Sequence, residues 1–413
     1  MAQLNITLNQ EEILQLLSSD RDTAFAKLLQ DSLNSILRAE STEQLKAEPY
    51  ERTEDRTGSR NGFRERPLTT RIGKITLKVP KHRGGEAFKT FVFDNYCRSE
   101  SALITTMAEM VVNGVSTRKV SLVMETLCGK SFSKSTVSEA CKQLDENVKE
   151  FRERPLTGQY PFLSVDATYF KVREHSRVIS KAFMIAYATN SEGHREIIGF
   201  NIYNKESKET WNSFLKGLKD RGLKGVRMIT SDAHEGIIDA VSKQFPDVPW
   251  QRCQFHFSRN IIQKAPARYQ KGLASELQEM FNCGTVKEAR KHRDDIIADY
   301  KDVAEEAMNC LDEGFDDAMT VMVLPRYLHK HFRTSNQIER LNKELKRRSK
   351  VIGVFPNVDS LMRLMGSVLL ERNDEISTIR RVYKASTYQE LMTTDLKGKL
   401  IQIAKDQRQL LVA

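Results

Sequence analysis

The chain has 413 residues, a hydrophobic fraction of 39% and a net charge of +10. This length predicts several domains, and the positive charge favours a polyanionic partner. The sequence has no apolar run of about 18 residues, which excludes a predicted membrane helix, and no GxxxxGK[ST] loop that would indicate a nucleotide cofactor. Its six cysteines are scattered without a CxxC pair, and its first residues lack a signal-peptide pattern, so a reduced, cytoplasmic protein is expected.

Apolar residues at helical spacing predict helices over residues 8–38, within an N-terminal helical region of residues 1–50. Their apolar face either packs inside the protein or forms a dimer contact. A β segment is predicted at residues 69–80, within a basic linker region of residues 51–98, and it alternates apolar residues with lysines. These lysines either protect a sheet edge from pairing or contact phosphates, and the local excess of positive charge favours phosphate contact.

Three helices are predicted within residues 99–158. The second ends at Cys128-Gly129-Lys130, where glycine suits a helix C-cap, and the third begins a few residues later. Two helices joined by a short glycine turn are typical of a helix-turn-helix DNA-binding domain, although any glycine-capped helical hairpin has the same pattern. In the DNA-binding interpretation, the side chains that face the groove or the phosphates are Lys134, Ser135 and Lys142.

From residue 159 the pattern changes to strands. Three consecutive strands are predicted at residues 162–172, 178–189 and 195–203. A helix, a strand that ends at Asp232, a second helix and a last strand over residues 249–257 follow. This order predicts an α/β fold, a ribonuclease-H-like mixed five-stranded sheet with helices, whose first part spans residues 159–257.

The remaining chain is predicted to be helical. Residues 258–332 form an all-helical insertion that interrupts the sheet domain, and residues 333–390 complete that domain with a helix that carries Glu339. Thr334 and Gln337 are spaced as a capping box at the start of this helix. The C-terminal tail, residues 391–413, is expected to be helical or loosely ordered.

Three acidic residues in different settings are the candidate catalytic residues. Asp166 interrupts an apolar strand, where a carboxylate is costly unless it is paired or binds a metal. Asp232 ends a strand, a place that also suits an ordinary helix N-cap, and Glu339 lies in a basic helix, where most such side chains are solvated. Brought together, these carboxylates would repel one another and would bind a hard cation such as Mg²⁺ or Mn²⁺. Such a centre performs metal-assisted attack on a phosphodiester.

A CxxH pair, Cys253 and His256, is the second chemical feature of the chain. This spacing is half of a zinc site, but the pair alone fits a structural hydrogen-bonding role better. Lys346 lies two turns after Glu339 and on the same side of the predicted helix. A basic surface on that helix is extended by further cations, namely Arg340, Lys343, Arg347 and Arg348.

Four separated segments resemble those of the Mutator-type transposases, in their bacterial insertion-sequence branch. In chain order they are Ser164–Tyr169, Thr230–Gly236, Arg252–His256 and Ser335–Asn342. The resemblance covers roughly residues 10–390. It implies a ribonuclease-H-like DDE catalytic core with an all-helical insertion, and it identifies Asp166, Asp232 and Glu339 as a triad that holds two divalent ions, Mg²⁺ or Mn²⁺. Two further family features match here: Cys253 and His256 as the CxxH pair, and Lys346 as the basic residue after the glutamate.

The resemblance also implies an activity and its partners. The N-terminal region would bind the terminal inverted repeats of an insertion sequence, and the core would cleave double-stranded DNA and join it to target DNA. Because two DNA ends must meet, a homodimer or larger assembly on nucleoid DNA in the bacterial cytoplasm is expected, with no membrane partner. Two alternatives stay open: a DNA-binding repressor or inactive relic that binds ends without cutting, and a ribonuclease-H-like nuclease without strand transfer.

Overall fold

The computed structural model of the protein describes residues 21–51, 53, 55–70, 73–84, 86–90, 101–128 and 132–412. The chain divides into two compact units, Met1–Gln143 and Leu144–Ala413. No helix in these described segments is both long and apolar enough to cross a membrane. The expected helical start near residue 8 and the turn at Gly129 fall outside the described residues.

The first unit begins with a helix packed on a β-hairpin. The elements are α1 (Arg21–Leu45), β1 (Ser59–Thr70) and β2 (Gly73–Arg83), and the two strands pair antiparallel. Alternate β2 residues, among them Ile75 and Leu77, pack with Leu37 of α1 in an apolar core. Gln30 and Asn34 of α1 accept hydrogen bonds from the backbone N–H groups of Thr76 and Lys78. The helix therefore supplies hydrogen-bond acceptors for these two N–H groups, which lie on the edge of β2 that does not pair with β1.

Three short helices complete the described part of the first unit. They are α2 (Ser101–Val112), α3 (Thr117–Cys128) and α4 (Lys134–Cys141). The Ser133 hydroxyl caps α4 by accepting from the Thr136 N–H at 3.0 Å, as N-terminal serines do. Met107, Met124 and Val137, one from each helix, meet in a common apolar core. The first of these helices begins at Ser101 and the third ends at Cys141, within the range of residues 99–158 in which helices are predicted.

The second unit contains a mixed five-stranded sheet in the order β5-β4-β3-β6-β7. Its strands are β3 (Phe162–Glu174), β4 (Arg177–Thr189), β5 (Arg195–Tyr203), β6 (Met228–Ser231) and β7 (Trp250–Arg252). β3, β4 and β5 pair antiparallel, whereas β3, β6 and β7 pair parallel. This arrangement is compatible with the expected ribonuclease-H-like core.

Helices cover the sheet because its strands carry apolar residues on alternate positions or throughout. The helices on the sheet are α5 (Leu144–Glu153), α6 (Lys208–Asp220) and α7 (Glu235–Gln244). Leu163 and Val165 of β3 pack with Trp211 and Leu215 of α6 and Ile237 of α7 in an apolar core on one face of the sheet. The side chains at the intervening positions of β3, Asp166 among them, point to the other face of the sheet.

Four helices after β7 form an apolar core of their own. They are α8 (Gln254–Lys264), α9 (Ala267–Phe281), α10 (Val286–Tyr300) and α11 (Glu305–Met319), and a 3₁₀ turn at Thr320–Val323 follows. The strand predicted over residues 249–257 forms only at Trp250–Arg252, so its predicted end is wrong. Cys253 is the N-cap of α8, and Cys253, Phe257 and Ile261 are fully buried at helical spacing.

The last five helices return to the sheet. They are α12 (Arg326–Phe332), α13 (Asn336–Ser349), α14 (Val358–Ser377), α15 (Ala385–Leu391) and α16 (Thr394–Val412). The capping box predicted at Thr334 and Gln337 is wrong: within the described chain, α13 has no side-chain cap at its Ser335 N-cap. The tail is a helix, and the Gln407 amide of α16 bonds both the N–H and the C=O of Trp250 on edge strand β7.

Candidate active site

Asp166 lies within β3, on the face opposite the apolar core that contains Leu163 and Val165. Its Oδ1 accepts a hydrogen bond from the Ala167 N–H at 2.8 Å, and its Oδ2 accepts one from the Asn342 side-chain amide, also at 2.8 Å. The Asn342 contact joins β3 to helix α13. Asp166 is thus a largely buried carboxylate that both the strand and the helix hold in place.

Asp232 reaches the same place from the neighbouring parallel strand. β3 and β6 pair with Ser164 opposite Thr230, and each chain then continues by two residues, to Asp166 and to Asp232. The last β6 residue, Ser231, is fixed by the Trp250 indole N–H, which donates to its hydroxyl at 2.8 Å. The Oδ1 atom of Asp232 is buried and accepts no hydrogen bond from any described residue.

Glu339 enters from the first turn of α13. Ile338, Leu341 and Leu345 form the buried stripe of this helix and set its rotation against the protein. The Oε1 atom of Glu339 lies 3.7 Å from His256 Nε2, and among the described groups it has no hydrogen-bond partner. Because α13 also supplies Asn342 to Asp166, the helix delivers the third carboxylate to the side of the sheet that carries the first two.

The carboxylates of Asp166 and Asp232 interact electrostatically. Burial, and next the Asp232 charge, raises the pKa of Asp166 to about 7, although the Ala167 N–H opposes the shift. Glu206, at the start of α6, adds a smaller effect in the same direction. The neighbouring carboxylates of Asp166 and Asp232, together with the buried oxygens of Asp232 and Glu339 that have no partner among the described residues, are hard donors whose charge a divalent cation would neutralise. The residues present therefore fit Mg²⁺ or Mn²⁺.

Cys253 and His256 border this centre on the side of Glu339. One ligand atom from each of the three residues lies within 4.8 Å of the other two. The sulfur near His256 raises the pKa of the imidazole to about 9 against the effect of burial, and Glu339 and Asp166 contribute further. Burial disfavours the Cys253 thiolate, but His256 and Ser335 together outweigh it, so the pKa of Cys253 is lowered. The imidazole beside Glu339 therefore favours its protonated form.

Three residues of the site were missed in the sequence. Asn342 follows Glu339 by three positions, so helical spacing was the signal that could have identified it. Ser335 bonds Cys253, 82 positions away in the chain, and no local pattern predicts that contact. Glu206 accepts from the Trp211 indole at 3.3 Å and lies 4.0 Å from His234, again without a sequence signal.

The predicted basic residues of α13 divide into two groups. Arg340, Lys343, Lys346 and Arg347 are exposed. Arg348 does not extend that surface, because its side chain is only 4% exposed and its guanidinium bonds Glu344 at 2.8 Å. Three arginines converge on Glu344, namely Arg347, Arg348 and Arg372.

The predicted groove-facing residues of the first unit are exposed. Lys134 and Ser135 lie in the first turn of α4, and Lys142 follows its last residue. Lys142 forms a salt bridge of 2.9 Å with Glu139, although both side chains are more than half exposed. An exposed pair of this kind is weak and leaves the lysine available to a phosphate.

Comparisons with known proteins show the family to which the chain belongs. A family model described as "Transposase, Mutator family" matches residues 1–378. The chain is 44% identical over 379 residues, 91% of its length, to the transposase for insertion sequence element IS256 in transposon Tn4001 of Staphylococcus aureus, of which it covers 97%. It is 38% identical to the transposase for ISRM5 of Rhizobium meliloti over 84% of this chain and 87% of that protein. It is also 35% identical to the transposase for IS1081 of Mycobacterium tuberculosis, over 84% of each.

Proposed function

Because this chain belongs to the Mutator family of transposases, we propose that it moves an insertion sequence by binding the terminal inverted repeats and catalysing metal-dependent DNA cleavage and strand transfer. The observation that carries the proposal is the convergence of Asp166, Asp232 and Glu339 from two adjacent strands and one helix. Paired carboxylates of this kind hold the divalent ions used in phosphodiester chemistry.

In this proposal, Asp166, Asp232 and Glu339 hold two Mg²⁺ or Mn²⁺ ions. The bound ions would polarise the phosphodiester and the attacking oxygen, first of water and then of a DNA 3′-hydroxyl. Asn342 orients Asp166 through its side-chain amide, and His256 faces the Glu339 oxygen. The protein groups therefore bind and orient; no side chain forms a covalent intermediate with DNA.

DNA recognition is assigned to two exposed basic surfaces. Helix α4 would enter a groove of the inverted repeat, with contacts from Lys134, Ser135 and Lys142. The exposed face of α13 would hold phosphates near the cleavage site through Arg340, Lys343, Lys346 and Arg347. Two ends must be brought together for strand transfer, so the active form is a homodimer or larger assembly on DNA.

A cleavage and joining assay tests the proposed function. The purified protein is incubated with labelled end-bearing DNA and a target plasmid in Mg²⁺ or Mn²⁺. The wild type is expected to nick at the element end and to join that end to the target, whereas Asp166→Ala and Glu339→Ala should bind the end without either product. Cleavage without joined products would support a nuclease, binding without cleavage would support a repressor or relic, and cleavage by the alanine variants would refute the site.

A further inference from the structure

Cys253 connects the two parts of the chain that carry Asp232 and Glu339. Its backbone N–H donates to Ser231 O at 2.7 Å, one residue before Asp232. Its fully buried sulfur accepts from the Ser335 N–H at 3.3 Å and from the Ser335 hydroxyl at 3.2 Å. Ser335 is the N-cap residue of α13, so Cys253 ties β6 through its backbone N–H and the start of the Glu339 helix through its sulfur.

Two further bonds hold the same segment. The Thr230 hydroxyl donates to Phe332 O at 3.0 Å, and the Gln254 N–H donates to Arg333 O at 3.0 Å. Because the Ser335 hydroxyl is directed to the Cys253 sulfur, it does not cap its own helix. The entry to α13 is therefore fixed by β6 and the start of α8 and not by local capping, and its position determines where Glu339 lies.

The His256 side chain contacts the Glu339 carboxylate directly. It lies one turn after Cys253 on α8, and its Nε2 atom is 3.7 Å from Glu339 Oε1. Its side chain is 25% exposed and that of Glu339 is 17% exposed, so both groups are largely enclosed by protein. The imidazole limits the positions open to the Glu339 carboxylate, while Cys253 restrains the backbone from which that carboxylate projects.

We propose that Cys253 and His256 are positioning residues that hold Glu339 in the metal-binding arrangement, an inference that rests on the proposed function. Ligation of zinc is the competing role. The described residues provide only three donor groups there, Cys253, His256 and Glu339, whereas a closed structural zinc site has four. The two histidines of α12 are engaged elsewhere. His329 Nε2 bonds Leu324 O, and His331 Nδ1 lies 3.4 Å from a guanidinium nitrogen of Arg195.

The test compares Cys253→Ala, Cys253→Ser and His256→Gln with Cys283→Ser, a cysteine change in the separate helical core. Manganese affinity is measured without turnover, from the electron paramagnetic resonance signal of free Mn²⁺ in complexes with pre-cleaved end DNA. Cleavage rate against Mg²⁺ concentration is measured in parallel. Loss of a residue that orients a metal ligand typically weakens metal binding about 10- to 100-fold, so we expect such a shift for Cys253→Ala and His256→Gln.

The other variants show whether the effect is specific. Cys253→Ser keeps an acceptor for Ser335 and should recover most of the manganese affinity, and Cys283→Ser should match the wild type. End-DNA affinity and melting temperature should change little in all of them. Unchanged manganese affinity in Cys253→Ala and His256→Gln would overturn the inference, and so would stoichiometric zinc in the purified wild type that is absent from Cys253→Ala. If the wild type never cleaves, the proposed function fails, whereas the manganese titration still decides the positioning role.

Discussion

Substitution of Asp166 by asparagine should stabilise the metal-free protein while it abolishes catalysis. The pKa of this carboxyl rises from an ordinary value of 3.8 to about 7 in the folded protein, mainly through burial and then through Asp232. The folded state therefore binds the proton more tightly than the unfolded chain does. The stability contributed by the neutral acid is complete below about pH 4 and is lost as pH rises to about 7.

The size of the effect follows from the same shift. Each pKa unit corresponds to about 1.4 kcal/mol, so a rise of about three units sets a ceiling of about 4 kcal/mol on the cost of ionising Asp166. Relaxation of the surrounding groups and water penetration reduce the cost of a buried charge, and we expect about 2 kcal/mol at pH 8. The side-chain NH₂ group introduced by Asp166→Asn also has an acceptor within reach. Asn342 Oδ1 is buried and accepts no hydrogen bond from the described residues, and rotation of the Asn342 amide would turn this oxygen toward residue 166.

Urea denaturation in EDTA, followed by tryptophan fluorescence, measures this difference. Both tryptophans of the chain, Trp211 and Trp250, lie in the core of the second unit, so the signal reports the unit that holds the site. Asp166→Asn should match the wild type near pH 4 and exceed it progressively toward pH 8, and Mg²⁺ should stabilise only the wild type. Equal or lower stability of Asp166→Asn at pH 8 in EDTA would refute the reasoning about a strained carboxylate.

Three further predictions concern other parts of the chain. Glu344→Ala leaves the buried guanidinium of Arg348 without its closest carboxylate, so the free energy of unfolding should fall by about 3 kcal/mol, measured in urea; a change within experimental error would contradict it. Gly193→Ala should cost about 2–4 kcal/mol, because the glycine has φ of +84° and an added Cβ would lie 2.1 Å from the Tyr383 carbonyl oxygen; unchanged melting would show that the turn adapts. Lys346→Ala should weaken end-DNA binding and lower the slope of log affinity against log salt by about one, whereas an unchanged slope would remove this lysine from the phosphate contacts.

The strands of the sheet could be predicted because each carries a local signal. The segment predicted at residues 195–203 forms β5 at Arg195–Tyr203, and the long apolar runs of β3 and β4 were found within two residues of their ends. Asp166 was recognisable because a carboxylate in such a run is unusual. The boundary after Arg252 was not predicted, since a strand of three residues is too short to show a periodicity that competes with the helical one of α8.

The connections within the site could not be predicted, because they join residues far apart in the chain. The bond from Ser335 to Cys253 replaces the local cap expected at Thr334 and Gln337, and only the folded arrangement of β6, α8 and α13 creates it. Arg348 is different, because helical spacing was a signal that could have identified it. It follows Leu345 of the buried stripe by three positions and Glu344 by four, which places it on the buried side of α13 beside that carboxylate.

Single-turnover cleavage of labelled end DNA by Asp232→Asn, compared with Glu235→Gln, tests the central claim most directly. Asp232 reaches the carboxylate centre from the end of β6, whereas Glu235 lies three residues later, exposed in the first turn of α7. The two changes remove the same charge from the same short segment. A catalytic centre of three carboxylates predicts that cleavage is lost in Asp232→Asn, with end binding retained, and is preserved in Glu235→Gln. Equal cleavage rates for the two variants would contradict it.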